Sequence, residues 1–175
     1  MTLALRQATE ADLPALRIMM ARAIAELQTP FLDAAEVESS KAVMGLDTLL
    51  VTDGCYFRAD IDGQLAGSGG WSRRATLYGG DHSAGRDARL LDPVTEPARV
   101  RALYTHPDIA RRGVGRAILD ACQDAARAAG FTRVELMATL SGLPLYTAAG
   151  FMPIERILDA SGGTPVPLVR MGKVL

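Results

Sequence analysis

One stretch limits what this chain can fold into more than any other: Leu103 to Leu119, reading LYTHPDIARRGVGRAIL. Leu103, Tyr104 and Thr105 favour a strand, and Pro107, which has no N–H to give, ends it. Arg111, Arg112, Gly113, Val114, Gly115 and Arg116 then run straight into a segment with three- and four-residue apolar spacing, which predicts a helix over 114–129. The first N–H groups of a helix lack internal partners, and the helix dipole is positive at that end. Glycines let a charged group approach those N–H groups, and arginines attract anions. Strand, glycine turn and helix in this order make a phosphate-binding turn. The same residues would also serve a plain turn opening a basic helix, so the rest of the chain has to decide. A Walker loop is ruled out because no Lys followed by Ser or Thr is present in it, and Ile118 stands where a dinucleotide fingerprint needs its third glycine.

The surrounding chain is globular in character. Its 175 residues are 49% hydrophobic with a net charge of −1, which predicts one domain over 1–175 and argues against a nucleic-acid partner. Basic residues cluster locally at Arg99, Arg101, Arg111, Arg112 and Arg116, a field suited to a small polyanion. No apolar run has membrane-spanning length, and the first residues do not read as a signal peptide. Cys55 and Cys122 are isolated and there are two histidines without ligand spacing, so no metal is expected. Free thiols and a cytoplasmic location follow as expectations, with no membrane association.

The pattern along the chain predicts strands over 3–7, 55–61, 64–72, 98–105, 132–138, 152–158 and 166–174. Asp62-Gly63 marks a tight hairpin between the second and third strands. Helices are predicted over 9–28, 33–44, 114–129 and, in short form, 139–147, while 46–51 fits either a helix or a strand. Gly67, Gly69 and Gly70 weaken the third strand, which implies a bulge or close approach by something else. Residues 73–97 are long, polar and irregular. They read equally as a substrate-contacting flap offering Tyr78, Asp81 and His82, or as a poorly ordered insertion.

A second motif lies downstream. Thr139-Leu140-Ser141-Gly142-Leu143-Pro144-Leu145-Tyr146-Thr147-Ala148-Ala149-Gly150-Phe151 resembles the Asn-x-x-Ala-x-x-x-Tyr-x-x-x-Gly-Phe/Tyr signature of the GCN5-related N-acetyltransferase (GNAT) superfamily. Thr139 takes the Asn position and Gly142 the Ala position. The window Ala110-Arg111-Arg112-Gly113-Val114-Gly115 resembles the same superfamily's coenzyme A loop, with Ala110 where Gln or Arg is usual. Both the opening Arg-x-Ala-Thr-Glu-Ala-Asp-Leu and the closing PVPLVRMGKVL are similar to the family's ends, so the resemblance covers essentially the whole chain.

The resemblance implies an α/β (α+β) fold: a mixed, mostly antiparallel sheet splayed between strands 4 and 5 and flanked by about four helices. It implies acetyl-CoA as cosubstrate, without a metal. The pyrophosphate would lie on Arg111, Arg112, Gly113, Val114, Gly115 and Arg116, and the pantetheine arm along Leu103 and Thr105, with Thr139 keeping a hydroxyl for hydrogen bonding. Tyr146 would be the acid that protonates the departing thiolate as a primary amine attacks the thioester, with a backbone N–H near Thr105 as oxyanion donor. Glu96, His82 and His106 are candidate bases, and a water relay is the default. Partners implied are a small-molecule or peptide amine and a homodimer to which the apolar last strand contributes. A non-catalytic acyl-CoA-binding sensor would use the same loop and leave Tyr146 idle. Which amine, and which of Trp71, Tyr78, Asp81, His82 and Glu96 face the thioester, only a tertiary structure can decide.

Overall fold

The computed structural model describes Met1 to Leu175. One seven-stranded sheet runs through it, in spatial order β1-β2-β3-β4-β5-β7-β6. The strands are β1 (Leu3–Gln7), β2 (Tyr56–Ile61), β3 (Gln64–Ser72), β4 (Ala98–Thr105), β5 (Arg133–Thr139), β6 (Met152–Asp159) and β7 (Val166–Val174). Every neighbouring pair is antiparallel except β4 and β5. The helices are α1 (Leu13–Glu26), α2 (Ala34–Ser40), α3 (Thr48–Thr52), α4 (Val114–Ala128) and α5 (Leu143–Ala148). All seven predicted strands are present within a residue of their expected limits. The β2–β3 turn has positive φ at both Asp62 (50°) and Gly63 (81°), the backbone that matches the twist of a two-residue hairpin.

The helical layer departs from the sequence reading in two places: the short helix expected over 139–147 starts only at Leu143, since Thr139 still belongs to β5, and the second helix ends early. The helix expected over 33–44 stops at Ser40, with Asp33 and Glu36 forming its capping box. Beyond it, the carbonyls of Lys41, Ala42 and Leu46 are bound by His82, Ser83 and Asp81, so tertiary hydrogen bonds replace helical ones. Segment 46–51 resolves as helix α3, opened by Asp47 Oδ1 accepting from the Leu49 N–H at 3.1 Å. The count of helices is therefore five, where about four were expected.

Two layers flank the sheet. On one face α4 packs over β3 and β4, and its apolar side joins Trp71, Val100, Leu136 and Phe151 in the main core. Two glycines of β3 explain themselves here: a Cβ on Gly67 would stand 2.7 Å from Val114 Cγ1 and one on Gly69 2.8 Å from Ile118 Cγ2, so their absence of side chains lets α4 lie close. On the other face, α1 and the α2–α3 segment cover Tyr56 and Tyr104. Burying these faces is the main favourable term holding the layers together. No helix is long and apolar enough to cross a membrane.

Candidate active site

The site grows from a defect in the sheet. β4 and β5 pair only at Ala98↔Val134 and Arg99↔Glu135. Past these residues the strands separate, as expected for a sheet splayed at that position. A bulge contributes to the parting: β4 slips register against β3 between the pairs Ser68↔Tyr104 and Gly70↔Arg101, and Ala102 takes φ 49°. The gap opens into a cavity of about 80 Å³, walled by residues 100–104 of β4, Thr139, Tyr146 of α5, and Val43 to Gly45 and Tyr78 on the α1 side.

The glycine turn sits at one mouth of this gap. Gly113 precedes α4 with φ 81°, and a Cβ there would touch nothing, so glycine is required for its backbone angle alone. Arg111 is also left-handed, at φ 70°. The first helical bond runs from the Ala117 N–H to the Gly113 carbonyl at 3.0 Å, which leaves the N–H groups of Gly113, Val114, Gly115 and Arg116 ahead of the helical ladder. Leu103 and Thr105 lie on the β4 edge leading to this turn, and the Cβ of a residue at 115 would stand 3.7 Å from each of their side chains. The expected positive field is smaller than the sequence suggests. Arg99 pairs with Glu135, Arg101 with Asp47 and Arg116 with Asp120, leaving Arg111 and Arg112 as the exposed, unpaired cations.

Tyr146 is buried, edge-to-face with Phe151 at a centroid distance of 6.0 Å. Its hydroxyl has no hydrogen-bond partner in the protein, yet it is not sealed in: the one enclosed, unpaired side-chain polar atom is Gln28 Oε1. It therefore opens on the cavity, and burial pushes its pKa well above the usual phenol value, so it holds its proton at neutral pH. The Gly142 position is explained by this ring, since a Cβ there would stand 2.9 Å from Tyr146 Cε2. Thr139 lines the cavity, but its hydroxyl is engaged locally, 3.0 Å from Ser141 Oγ and accepting from the Gly142 N–H at 3.3 Å.

None of the candidate bases lines the cavity. Glu96 binds Arg89 at 2.9 Å and the Asp92 N–H at 2.8 Å, and the Arg89 contact holds its pKa down at about 2. His106 accepts from the Asp108 N–H through Nδ1, capping the turn after β4. His82 Nε2 lies 2.6 Å from the Lys41 carbonyl, which can only accept, so that nitrogen carries the proton.

Segment 73–97 is an ordered clasp. It folds back on itself through Ala75 N–H to Arg89 O and a bridge between Arg74 and Leu90, and it grips residues 41–48 through Asp81, His82 and Ser83. Of its three expected contacts, Tyr78 faces the cavity, while Asp81 and His82 hold the clasp in place. Trp71 packs on Phe131 in the core.

Two residues have roles at the cavity that the sequence reading did not assign. Arg101 is 3% exposed and lines the cavity, donating to Asp47 Oδ2 at 3.0 Å, Gly79 O at 2.6 Å and Thr76 O at 3.3 Å. Burial lowers its pKa and Asp47 opposes the shift. Tyr104 accepts from the Gly45 N–H at 2.8 Å and so ties β4 to the α2–α3 segment. The available signal was alternation: Arg101 and Val100 must point to opposite faces, and the face of Arg101 is the one α1 covers.

The sequence matches the Acetyltransferase (GNAT) family over residues 21–151. Among curated proteins none matches significantly. Solved structures share the fold at low identity. A GCN5-related N-acetyltransferase from Rhodopseudomonas palustris superposes with a TM-score of 0.72 at 19% identity, covering 100% of this chain and 97% of that one. The PaiA N-acetyltransferase of Thermoplasma acidophilum, in complex with coenzyme A, gives 0.67 at 13% identity with 100% of each chain covered. A ribosomal-protein-alanine N-acetyltransferase from Brucella melitensis gives 0.66 at 19% identity, covering 98% of this chain and 99% of that one.

Proposed function

The chain belongs to the acetyltransferase (GNAT) family, and from that premise we propose that it moves an acetyl group from acetyl-CoA to the nitrogen of a primary amine. The observation that carries this reading is one continuous path. The open N–H groups at the start of α4, the bulged edge of β4 and the partnerless Tyr146 hydroxyl follow one another along the β4–β5 gap.

The residues fit acetyl-CoA chemically. Free N–H groups beside Arg111 and Arg112 suit a pyrophosphate, and the unpaired edge at Leu103 and Thr105 suits the amides of a pantetheine arm. The thioester then lies near the β4 bulge, where a backbone N–H can steady charge on the carbonyl oxygen. The amine lone pair attacks the carbonyl carbon, the new C–N bond forms and the C–S bond breaks. Tyr146 donates its proton to the leaving sulfur, and solvent resets it. The proton lost by the attacking nitrogen passes to water, since no acidic or histidine side chain lines the cavity.

The test is CoA release from acetyl-CoA with an amine panel. Tyr146→Phe should lower turnover by roughly 100-fold while acetyl-CoA binds as before; a parallel loss of affinity would make Tyr146 structural. Acetyl-CoA should also raise the thermal midpoint where NAD and ATP do not. Stabilisation by acetyl-CoA with no release to any amine would favour a sensor over an enzyme.

A further inference from the structure

On the side of the sheet away from α4 the cavity has a roof built by three separate parts of the chain. Tyr78, from the clasp, lines the cavity and donates its hydroxyl to Asp159 Oδ2 at 2.6 Å. Asp159 ends β6, so this bond joins the clasp to the β6–β7 hairpin. The tip of that hairpin is fastened in turn to α2. Ser39 Oγ donates to the Thr164 carbonyl at 2.5 Å and lies 3.2 Å from the Thr164 N–H, which donates to it. Gly162 is pressed so closely on α2 that a Cβ would stand 2.1 Å from Ser39 O. Under these contacts, Leu32, Val37, Val166 and Leu168 close an apolar cluster with Tyr78 and Met137. An extended chain could cross this side only by parting α2 from the hairpin. Of the residues bonded across the roof, only Tyr78 lines the cavity itself.

The lining adds an electrostatic restriction. Arg101 is its single ionisable group that is charged at neutral pH; the others are the phenols of Tyr78, Tyr104 and Tyr146, whose pKa values burial raises. The carboxylates packed around the site are committed elsewhere: Asp47 to Arg86 and Arg101, Asp81 to Thr48 and Arg86, Asp159 to Tyr78 and Ser161. His82, on the clasp, is bound to the Lys41 carbonyl. An ammonium entering this space would lose its water, meet a guanidinium and find no counter-ion.

Resting on the acetyl-transfer reading above, we propose that the acceptor is a compact, weakly basic amine that enters uncharged. Peptide N-termini and polycationic amines are shut out, the first by the roof and the second by the lining.

The experiment measures CoA release from acetyl-CoA by the full chain, between pH 6.5 and 9, with four acceptors. They are an aromatic amine or acyl hydrazide, an aliphatic monoamine of similar size, a linear triamine, and a short peptide with a free N-terminus. At pH 7 the weakly basic acceptor should give a kcat/KM more than about tenfold above the triamine and the peptide, and its value should change little with pH. The aliphatic monoamine should gain about tenfold per pH unit, following its neutral fraction. The acceptor assignment is overturned, with acetyl transfer intact, if the peptide or the triamine is the best acceptor, or if the aliphatic amine shows no rise with pH. No release with any acceptor, while acetyl-CoA still raises the thermal midpoint, overturns acetyl transfer itself and this assignment with it.

Discussion

The Tyr56 hydroxyl, on β2, reaches past β3 and donates to the carbonyl of Ala102 at 2.7 Å. Tyr56 is fully buried, and Ser68 Oγ lies 2.9 Å from the same hydroxyl. Because the one phenolic proton goes to the carbonyl, Ser68 is the donor in that second contact. The chain Ser68 to Tyr56 to Ala102 thus holds the one β4 residue with positive φ, the residue at which the strand bulges. Across a trans peptide, fixing the Ala102 carbonyl also fixes the direction of the Leu103 N–H. Tyr56→Phe keeps the ring and removes the hydroxyl. It should cost about 1–3 kcal/mol in urea unfolding, the penalty of leaving buried polar groups unpaired. It should lower kcat more than it raises the KM for acetyl-CoA. Unchanged kcat would separate the bulge from the chemistry.

Gly113→Ala tests the anion turn through its backbone. The added methyl meets no atom, so any effect comes from the φ of 81°. The strain should lower stability by about 1–2 kcal/mol and tilt the first turn of α4. Calorimetric titration should then show weaker binding of coenzyme A. Native affinity in this variant would remove the pyrophosphate from the turn.

Arg101→Met removes one member of a buried ion pair. Asp47 keeps Arg86, but the Thr76 and Gly79 carbonyls lose their donor. The expected loss is about 3 kcal/mol by chemical unfolding. Limited proteolysis should open first within 73–97, the segment these bonds secure. Uniform protection of that segment would show that the clasp stands without Arg101.

Acid should act on the N-terminal corner. Arg6 and Arg58 both bind Asp12, at 2.7 Å and 2.9 Å, and the Arg6 contact is the chief cause holding its pKa far below the usual carboxylate range. A carboxyl depressed in the folded state stabilises fully above its unfolded pKa of about 3.9 and loses that contribution as pH falls through the folded value. Asp12→Asn should therefore cost about 2 kcal/mol at pH 7. The gap between the two proteins should narrow as pH falls below about 4. A gap that is constant with pH would mean that Asp12 acts through packing and not through charge.

Much of this protein was legible before folding was considered. Asp62-Gly63 made its hairpin, Gly113 opened its helix, and the strands fell where alternation put them, since each depends on residues within a turn or two of one another. The end of α2 at Ser40 was not legible, because its competitors for hydrogen bonds lie some 41 residues away in His82 and Ser83. Segment 73–97 could not be told from a loose insertion for the same reason.

The sequence by itself determined the glycine-turn end of the site. A glycine with positive φ ahead of a helix produces open N–H groups wherever it is placed, and the Gly142–Tyr146–Gly150–Phe151 spacing brought its own partner. Only the tertiary structure decided the opposite wall of the cavity. Tyr78 and Asp159 are 81 residues apart, and Asp47 and Arg101 are 54 apart. No local rule links such pairs: the splayed sheet and the docked hairpin bring them together, and one member of each, Tyr78 and Arg101, lines the same cavity. The charge and the width of that cavity are properties of their meeting.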